Sequence, residues 1–214
     1  MRNRRKQEYY ERNGIRIKTA TASTPIMDKD ILNRITYYIE DMCKHKDLHF
    51  KYYILWRLSL GLGFRISDTL KLTVEDVTKC NNDIIEKKTG KERMVILNNK
   101  LQAVVDWYIK EYNLNPDDML IFSNSSSGSK KKAIDRSQAY RKLKELVNSV
   151  DETIRFSNHT LRKSWAYALY IANDKNIAVV QKALNHASSL TTADYIGLSR
   201  QELKNILIKF DPLE

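Results

Sequence analysis

The sequence predicts a mainly α-helical protein with one small antiparallel β-hairpin. Along most of its 214 residues, apolar side chains recur at intervals of three and four, the spacing of an amphipathic helix. The period changes between residues 83 and 97, where two short apolar runs flank Lys88-Thr89-Gly90-Lys91 and glycine in the turn indicates a hairpin. Hydrophobic residues make up 42% of the chain and charged residues 29%, a balance typical of globular proteins.

Two amphipathic helices are predicted near the start of the domain. Asp28 is a suitable N-cap for the first, which extends to about Lys44. Its apolar stripe consists of Ile31, Leu32, Ile35, Ile39 and Met42. The second helix spans about residues 50–60 and ends at Gly61-Leu62-Gly63, where two glycines permit a tight backbone turn.

Arg65 follows this turn and lies between two apolar residues, at the start of a short helix predicted for residues 66–71. An arginine in that setting should be partly buried, and a buried guanidinium needs a partner for its charge. Asp68, one helical turn further along, supplies a carboxylate for it. An ion pair with Asp68 could also be the whole role of Arg65.

Helices account for most of the remaining chain. Their predicted ranges are 99–112, 135–150, 160–173, 177–184 and 199–210. A short apolar run at 120–122 and a polar, basic loop at 123–132 separate the first two of these helices. In the helix at 177–184, five apolar side chains are predicted to face inward. They are Ala178, Val179, Val180, Ala183 and Leu184.

The charge balance indicates a polyanionic partner. Lys and Arg number 37 against 26 Asp and Glu, so the net charge is +11, and nucleic acid is the commonest partner of such a basic protein. Basic residues are dense in 1–24, which we interpret as an arm and linker. Candidate DNA-backbone contacts are Arg4, Arg5, Lys130, Lys131, Arg136 and Arg141. Each of these residues also fits an ordinary solvated surface.

Several classes of protein are disfavoured by what the sequence lacks. Cys43 and Cys80 have neither metal-ligand spacing nor a disulfide framework, and no apolar run reaches membrane-spanning length. No Walker glycine loop and no paired-carboxylate metal site is evident. We therefore expect a cytoplasmic, nucleoid-associated protein that uses no cofactor or metal and makes no membrane contact.

Residues 157–197 carry the strongest functional signal. His159 and Arg162 are three residues apart at the start of a helix, so they share a face beside an N-terminus that favours an anion. His186 follows the next helix, and Tyr195 comes nine residues later, after a turn-like segment. Any one of these residues could be structural. Together, two imidazoles, a guanidinium and a phenol suit a phosphodiester.

These motifs together resemble the catalytic domain of the tyrosine recombinases, also called the phage integrase family. The similar blocks are Gly61 to Leu70 with its continuation to Val77, Lys87 to Arg93, His159-Thr160-Leu161-Arg162, and Leu184 to Tyr195. The similarity covers about residues 25–198. It divides the chain into the arm at 1–24, a catalytic domain at 25–198 and a C-terminal helix at 199–214.

The resemblance assigns the proton-transfer steps to three residues. Tyr195 is implied to be the nucleophile, which attacks the scissile phosphate and becomes joined to the DNA 3′ end. His159 is implied to take the proton of the phenol. Lys88 is implied to be the general acid that protonates the leaving 5′ oxygen, although its position in a hairpin turn indicates by itself only a solvated lysine.

The resemblance also assigns the phosphate contacts. Arg65 and Arg162 are implied to bind the non-bridging oxygens, and His186 to form a hydrogen bond to the phosphate, with Asp68 as a supporting residue. Planar guanidinium groups match the geometry of a phosphate that gains negative charge in the transition state. Departures from the commoner family pattern occur at four positions, which are Lys163, Trp165, Asn185 and Ala187.

The implied partners are double-stranded DNA with paired recombination sites and further copies of the chain, as a dimer on each site and a tetramer in synapsis. The C-terminal helix has an apolar stripe that consists of Leu203, Ile206, Leu207 and Phe210. This stripe either packs on its own domain or docks in a neighbouring subunit, and the resemblance favours docking. With 24 residues before the catalytic domain, the chain is either a compact recombinase or a piece of a longer protein.

Two other functions fit the same sequence. One is a DNA-binding regulator that retains the fold without the reaction, which the intact set of six candidate catalytic residues disfavours. The other is a topoisomerase that nicks a single strand with the same chemistry. A topoisomerase relaxes supercoils without a paired site, whereas a recombinase requires two sites for integration, excision, inversion or resolution.

Overall fold

The computed structural model describes residues 23–79, 82–124 and 131–197. The elements in order are α1 (Lys29–Lys44), α2 (Lys51–Leu62), α3 (Ile66–Thr69), α4 (Val74–Thr78), β1 (Asn82–Ile85), β2 (Glu92–Val95), α5 (Asn99–Glu111), α6 (Arg136–Val150), α7 (Thr160–Ala172), α8 (Ile177–Leu184) and α9 (Ser189–Ile196). The prediction of a mainly helical protein with one small antiparallel sheet is confirmed. Arg4, Arg5, Lys130 and the helix expected at 199–210 lie outside the described residues.

Helix α2 is the centre of the larger hydrophobic core. It packs against α1, α5, α6 and α7, and its residues Ile54, Leu55, Trp56 and Leu58 are fully buried. A helix that is apolar on nearly every side must be enclosed by other elements, which explains its central place. The indole Nε1 of Trp56 donates to Thr36 Oγ1 at 2.8 Å and so joins α2 to α1.

The end of α2 differs from the sequence prediction. The helix continues through Gly61 and Leu62 and ends at Gly63, which has a φ of +60°. A residue in the left-handed region commonly terminates a helix, and glycine adopts it without steric cost. Gly61 is therefore helical, and Gly63 alone makes the turn that leads to Arg65.

A second, smaller hydrophobic core joins α7, α8 and α9. Its buried residues are Ala166, Tyr170, Val180, Leu184 and Ile196. The prediction that all five apolar residues of α8 face inward was wrong, because Ala178 and Val179 are exposed. A helix of only eight residues that packs on one side cannot bury five apolar positions that lie around most of its circumference. Helix α9, which carries Tyr195, was not predicted from the sequence.

The hairpin is confirmed where the sequence placed it. Strands β1 and β2 pair antiparallel, with Asn82 opposite Val95 and Ile85 opposite Glu92. Gly90 has a φ of +65° in the turn, as a tight hairpin connection requires. Along β2 the side chains alternate, so that Arg93 and Val95 are buried and their neighbours are exposed.

No helix among the residues described here has the length and apolar character needed to cross a lipid bilayer. The longest, α1, has 16 residues and includes charged side chains.

Gly63→Ala is expected to destabilise the protein more than Gly90→Ala. Both glycines have left-handed backbone conformations, which cost alanine about 1–2 kcal/mol. A Cβ at Gly63 would also overlap the Trp165 ring, whereas a Cβ at Gly90 meets nothing within 4 Å. We expect a loss of about 1 kcal/mol at Gly90 and at least ~2 kcal/mol at Gly63, measured by urea unfolding. Equal losses would mean that Trp165 moves aside freely.

Candidate active site

Tyr195 lies on α9 and faces the two histidines named in the sequence analysis. Its hydroxyl oxygen is 3.4 Å from His159 Nδ1, and its ring stands edge-on to the His186 ring with a centroid separation of 5.1 Å. One turn before Tyr195 on α9 is Thr192, a fully buried residue whose Oγ1 contacts His186 Nδ1 at 3.2 Å and so holds the helix against His186. The phenol is therefore held on a packed helix rather than on a free turn.

The surroundings favour a neutral phenol and neutral imidazoles. Burial raises the pKa of Tyr195, and the charges of Arg162 and Arg65 offset this only in part. Burial, together with the charges of nearby basic residues, lowers the pKa of His159 and lowers that of His186 to about 4. At neutral pH, His159 is thus an uncharged imidazole beside a protonated phenol, an arrangement that can accept the phenolic proton.

Arg162 is oriented by the ends of two helices. Its side chain is 2% exposed, and its Nη1 and Nη2 donate to the carbonyl oxygens of Gly63 at 2.9 Å and Leu184 at 3.0 Å. These carbonyls lie at the C-termini of α2 and α8, where a helix carries partial negative charge. The guanidinium is therefore fixed by the protein itself.

Arg65 is held chiefly by a residue that the sequence analysis did not single out. Its Nη1 donates to Glu86 Oε2 at 2.7 Å, and the expected ion pair with Asp68 is present but longer, at 3.8 Å. Asp68 instead accepts a hydrogen bond of 3.3 Å from the backbone N–H of Lys87. Glu86 directly precedes the two lysines of the hairpin, but nothing local in the sequence indicates that it is buried.

Lys88 is exposed in the hairpin turn, at the edge of a cleft with a volume of about 1360 Å³. Arg65 and His159 line the same cleft. Further basic side chains along it are Lys71, Lys87, Arg136, Lys144 and Arg155. The structure thus brings the candidate general acid, a candidate phosphate-binding arginine and a basic surface to one opening.

Three predicted DNA contacts can be placed in the structure. Arg136 lines the cleft, Arg141 is exposed on α6 away from the cleft lining, and Lys131 donates from Nζ to the Tyr112 carbonyl at 2.8 Å. The Lys131 ammonium also lies 4.8 Å from the centre of the Phe122 ring. Lys131 therefore has a structural role, and the DNA contacts of all three residues remain predictions.

Three of the four departures from the family pattern have a structural explanation. Asn185 caps α8 with a φ of 55°, a conformation that asparagine tolerates next best to glycine. Trp165 Nε1 donates to the Gly61 carbonyl at 3.1 Å. Lys163 is buried, donates from Nζ to the Ser23 carbonyl at 2.6 Å, and lies 5.4 Å from the centre of the Tyr195 ring. Nothing in the structure explains Ala187.

The sequence model described as "Phage integrase family" matches residues 25–202 of the chain. The chain belongs to the phage integrase, or tyrosine recombinase, family. It is 34% identical over 149 residues to the probable integrase/recombinase YoeC of Bacillus subtilis, an alignment that covers 68% of this chain and 77% of YoeC. It is 29% identical over 161 residues to the tyrosine recombinase XerD of Mycobacterium leprae, which covers 71% of this chain and 49% of that relative.

Solved recombinase structures share the fold. A crystal structure of XerA recombinase superposes with a TM-score of 0.65 at 19% identity, over 95% of this chain and 72% of XerA. XerH recombinase bound to a palindromic difH substrate, in a post-cleavage complex, gives a TM-score of 0.67 at 20% identity over 92% of this chain. The chain spans 56% of XerH and about half of XerD, so these larger relatives extend beyond the shared part.

The low pKa of His186 predicts a specific loss of stability in acid. In the unfolded chain His186 binds a proton near pH 6.5, and in the folded protein only near pH 4. The contribution of neutral His186 to the free energy of unfolding is therefore complete above pH 6.5 and is lost as the pH falls toward 4. By pH 5 the loss is about 1–2 kcal/mol. His186→Gln should therefore show a smaller fall in urea-unfolding free energy between pH 7.5 and pH 5 than the parent protein. The same fall in both would mean that folded His186 protonates freely.

Proposed function

We propose that the protein is a site-specific DNA recombinase, which cleaves and rejoins DNA strands through a covalent 3′-phosphotyrosyl bond to Tyr195. The observation that carries this proposal is the pairing of the Tyr195 hydroxyl with a neutral His159, 3.4 Å apart, within the electrostatic influence of Arg65 and Arg162. Membership of the phage integrase family supports the same reaction class. The basic cleft supplies a path for the DNA backbone.

The phosphate is bound first in this mechanism. Arg65 and Arg162 donate to the non-bridging oxygens of the scissile phosphate, and His186 adds a further hydrogen bond. Negative charge grows on these oxygens as the nucleophile arrives, so donors fixed in advance lower the barrier. The two backbone carbonyls that hold Arg162 limit the reorganisation needed during the reaction.

Two proton transfers accompany the exchange of bonds. His159 takes the phenolic proton as the Tyr195 oxygen bonds to phosphorus, because the protonated phenol is a weak nucleophile at neutral pH. The bond from phosphorus to the 5′ oxygen breaks, and Lys88 protonates that oxygen as it leaves. The phosphotyrosyl bond conserves the energy of the broken strand. A 5′ hydroxyl can therefore attack it and rejoin DNA without ATP.

The proposed substrate is double-stranded DNA with paired recombination sites. A dimer would bind each site and a tetramer would form in synapsis. The reaction would take place on DNA in the nucleoid. One solved relative is a lambda integrase dimer bound to a COC′ core site. In this arrangement residues 1–24 form an arm, residues 25–198 the catalytic domain, and residues 199–214 a helix that docks in a neighbouring subunit. A requirement for two sites distinguishes a recombinase from a topoisomerase of the same chemistry.

Tyr195→Phe is expected to abolish covalent attachment to DNA. A nicked suicide duplex, built from the DNA that flanks the coding sequence, should give a slower band with the parent protein on a denaturing gel. The variant should bind the same duplex with unchanged affinity and give no such band, because only the attacking oxygen is removed. Chelation with EDTA should leave the band intact. A persistent band in Tyr195→Phe would assign the nucleophile to another residue.

Lys88→Ala is expected to cleave an ordinary phosphodiester at least ~100-fold more slowly than the parent protein, because the 5′ alkoxide then leaves without a proton. The rate should recover on a substrate whose leaving 5′ oxygen is replaced by sulfur, since a thiolate needs no protonation. The matched control is Lys87→Ala, a neighbouring exposed lysine on the same cleft. If sulfur gives no relative rescue of Lys88→Ala, Lys91 becomes the candidate acid.

A further inference from the structure

Glu86 is a buried carboxylate that no step of the reaction above uses. Its side chain is 1% exposed, and its Oε2 accepts hydrogen bonds from Arg65 Nη1 and Thr89 Oγ1, each at 2.7 Å. Its Oε1 accepts from Arg93 Nη1 at 3.2 Å and lies 3.6 Å from Arg162 Nη1. One carboxylate therefore contacts three guanidinium groups, including both that are proposed to bind phosphate.

The charge of Glu86 is what allows these guanidinium groups to lie together. Burial alone would raise its pKa, but the hydrogen bonds from Arg65 and Thr89 and the arginine charges lower the pKa to about 2. The carboxylate is therefore ionised at every pH at which DNA cleavage is measured. Without it, three buried or half-buried cations would repel one another, and the nearest remaining anion would be Asp68, 3.8 Å from Arg65 alone.

Glu86 is also part of the turn that presents Lys88. Its backbone N–H donates to the Lys91 carbonyl at 2.9 Å, and its own carbonyl accepts from the Gly90 N–H at 2.9 Å. Its side chain holds the Thr89 hydroxyl in the same turn. A shift of this carboxylate would therefore move the candidate general acid relative to the arginines.

Glu86 lies behind the arginines rather than in the path of the substrate. With the residues that the structure describes, Arg65 forms its hydrogen bond and ion pairs through Nη1. Its Nε and Nη2 remain available to oxygens in the cleft. A carboxylate at this position orients the donor atoms and leaves the outward ones free for phosphate.

Resting on the function proposed above, we propose that Glu86 is a positioning residue of this active site. It fixes Arg65 and Arg162 relative to each other, and it fixes the Lys88 turn relative to both. If Glu86 acts by positioning, its removal slows cleavage. If Glu86 acted only through its charge, removal of that negative charge near the phosphate would strengthen phosphate binding and speed cleavage. The two accounts therefore differ in the sign of the effect on rate.

The test compares Glu86→Gln, Glu86→Asp and Thr89→Val with Glu92→Gln, an exposed carboxylate in the same hairpin. The probe is the nicked duplex on which the parent protein forms its adduct, assayed under single-turnover conditions. Glu86→Gln should cleave at least ~10-fold more slowly, within the ~100-fold that an ångström of misplacement can cost, with DNA affinity equal or higher. Glu86→Asp and Thr89→Val should give smaller losses, and Glu92→Gln should match the parent protein.

Two modified substrates distinguish a rate loss caused by misplaced side chains from a rate loss caused by a smaller fraction of folded protein. A 5′-sulfur leaving group removes the need for Lys88, and a neutral methylphosphonate reduces the need for the arginines. Each should shrink the Glu86→Gln defect relative to the parent protein. A defect of equal size on all three substrates, or cleavage at the parental rate, overturns the proposal.

Circular dichroism and thermal unfolding establish whether each variant folds. If Glu86→Gln does not fold, the same comparison of cleavage rates on the three substrates is made with Glu86→Asp and Thr89→Val. Cleavage at the parental rate by both of these variants overturns the proposal. If the parent protein forms no adduct on any flanking DNA, the proposed function fails first, and the inference about Glu86 fails with it.

Discussion

The burial of Arg162 is the constraint on which the rest of the described structure depends. A guanidinium removed from water costs several kcal/mol unless acceptors surround it. Here the C-termini of α2 and α8 supply carbonyl acceptors, and the carboxylate that follows β1 forms an ion pair at 3.6 Å. Satisfying this one side chain brings the larger core, the smaller core and the hairpin to a common point.

The same cluster determines the protonation of the groups around it. Burial and the positive charges of neighbouring basic residues both lower the pKa of the two imidazoles, so both effects keep the imidazoles neutral. On the phenol the two effects oppose each other, and burial wins. The arginine charges that would attract an anion therefore also help burial to keep His159 unprotonated. In the reaction proposed above, binding and proton transfer would thus have the same electrostatic origin.

The segment before α1 is anchored beside the candidate nucleophile. The Ser23 carbonyl accepts from Lys163, and the Ile26 N–H donates to Ser164 Oγ at 2.8 Å. Both partners lie on α7, the helix that also carries Arg162. The Lys163 ammonium also lies 5.4 Å from the centre of the Tyr195 ring, so a residue that departs from the family pattern links the segment before α1 to the candidate nucleophile.

How much of the protein could be predicted from its sequence depended on the range of the interactions. Helices and the hairpin follow from local spacing, since apolar periodicity, the Asp28 cap and glycine in a turn act within a few residues. The motifs likewise identified the family, because His159, Arg162, His186 and Tyr195 keep a fixed order and spacing along one short stretch. The excess of positive charge, a property of composition alone, indicated the class of partner.

Only the tertiary structure decided which charges meet. Glu86 reaches Arg65 across 21 residues, and Arg162 reaches Gly63 across 99, distances along the chain over which no periodic pattern carries information. For the same reason the sequence analysis named Asp68, a nearby carboxylate along the chain, and did not identify Glu86, the carboxylate that lies nearer in space. Helix α9 escaped prediction because its eight residues include a polar start and owe their helical form to packing on α7 and α8. Local propensity fixes short-range geometry, whereas the pairing of buried charges is set by how the elements pack.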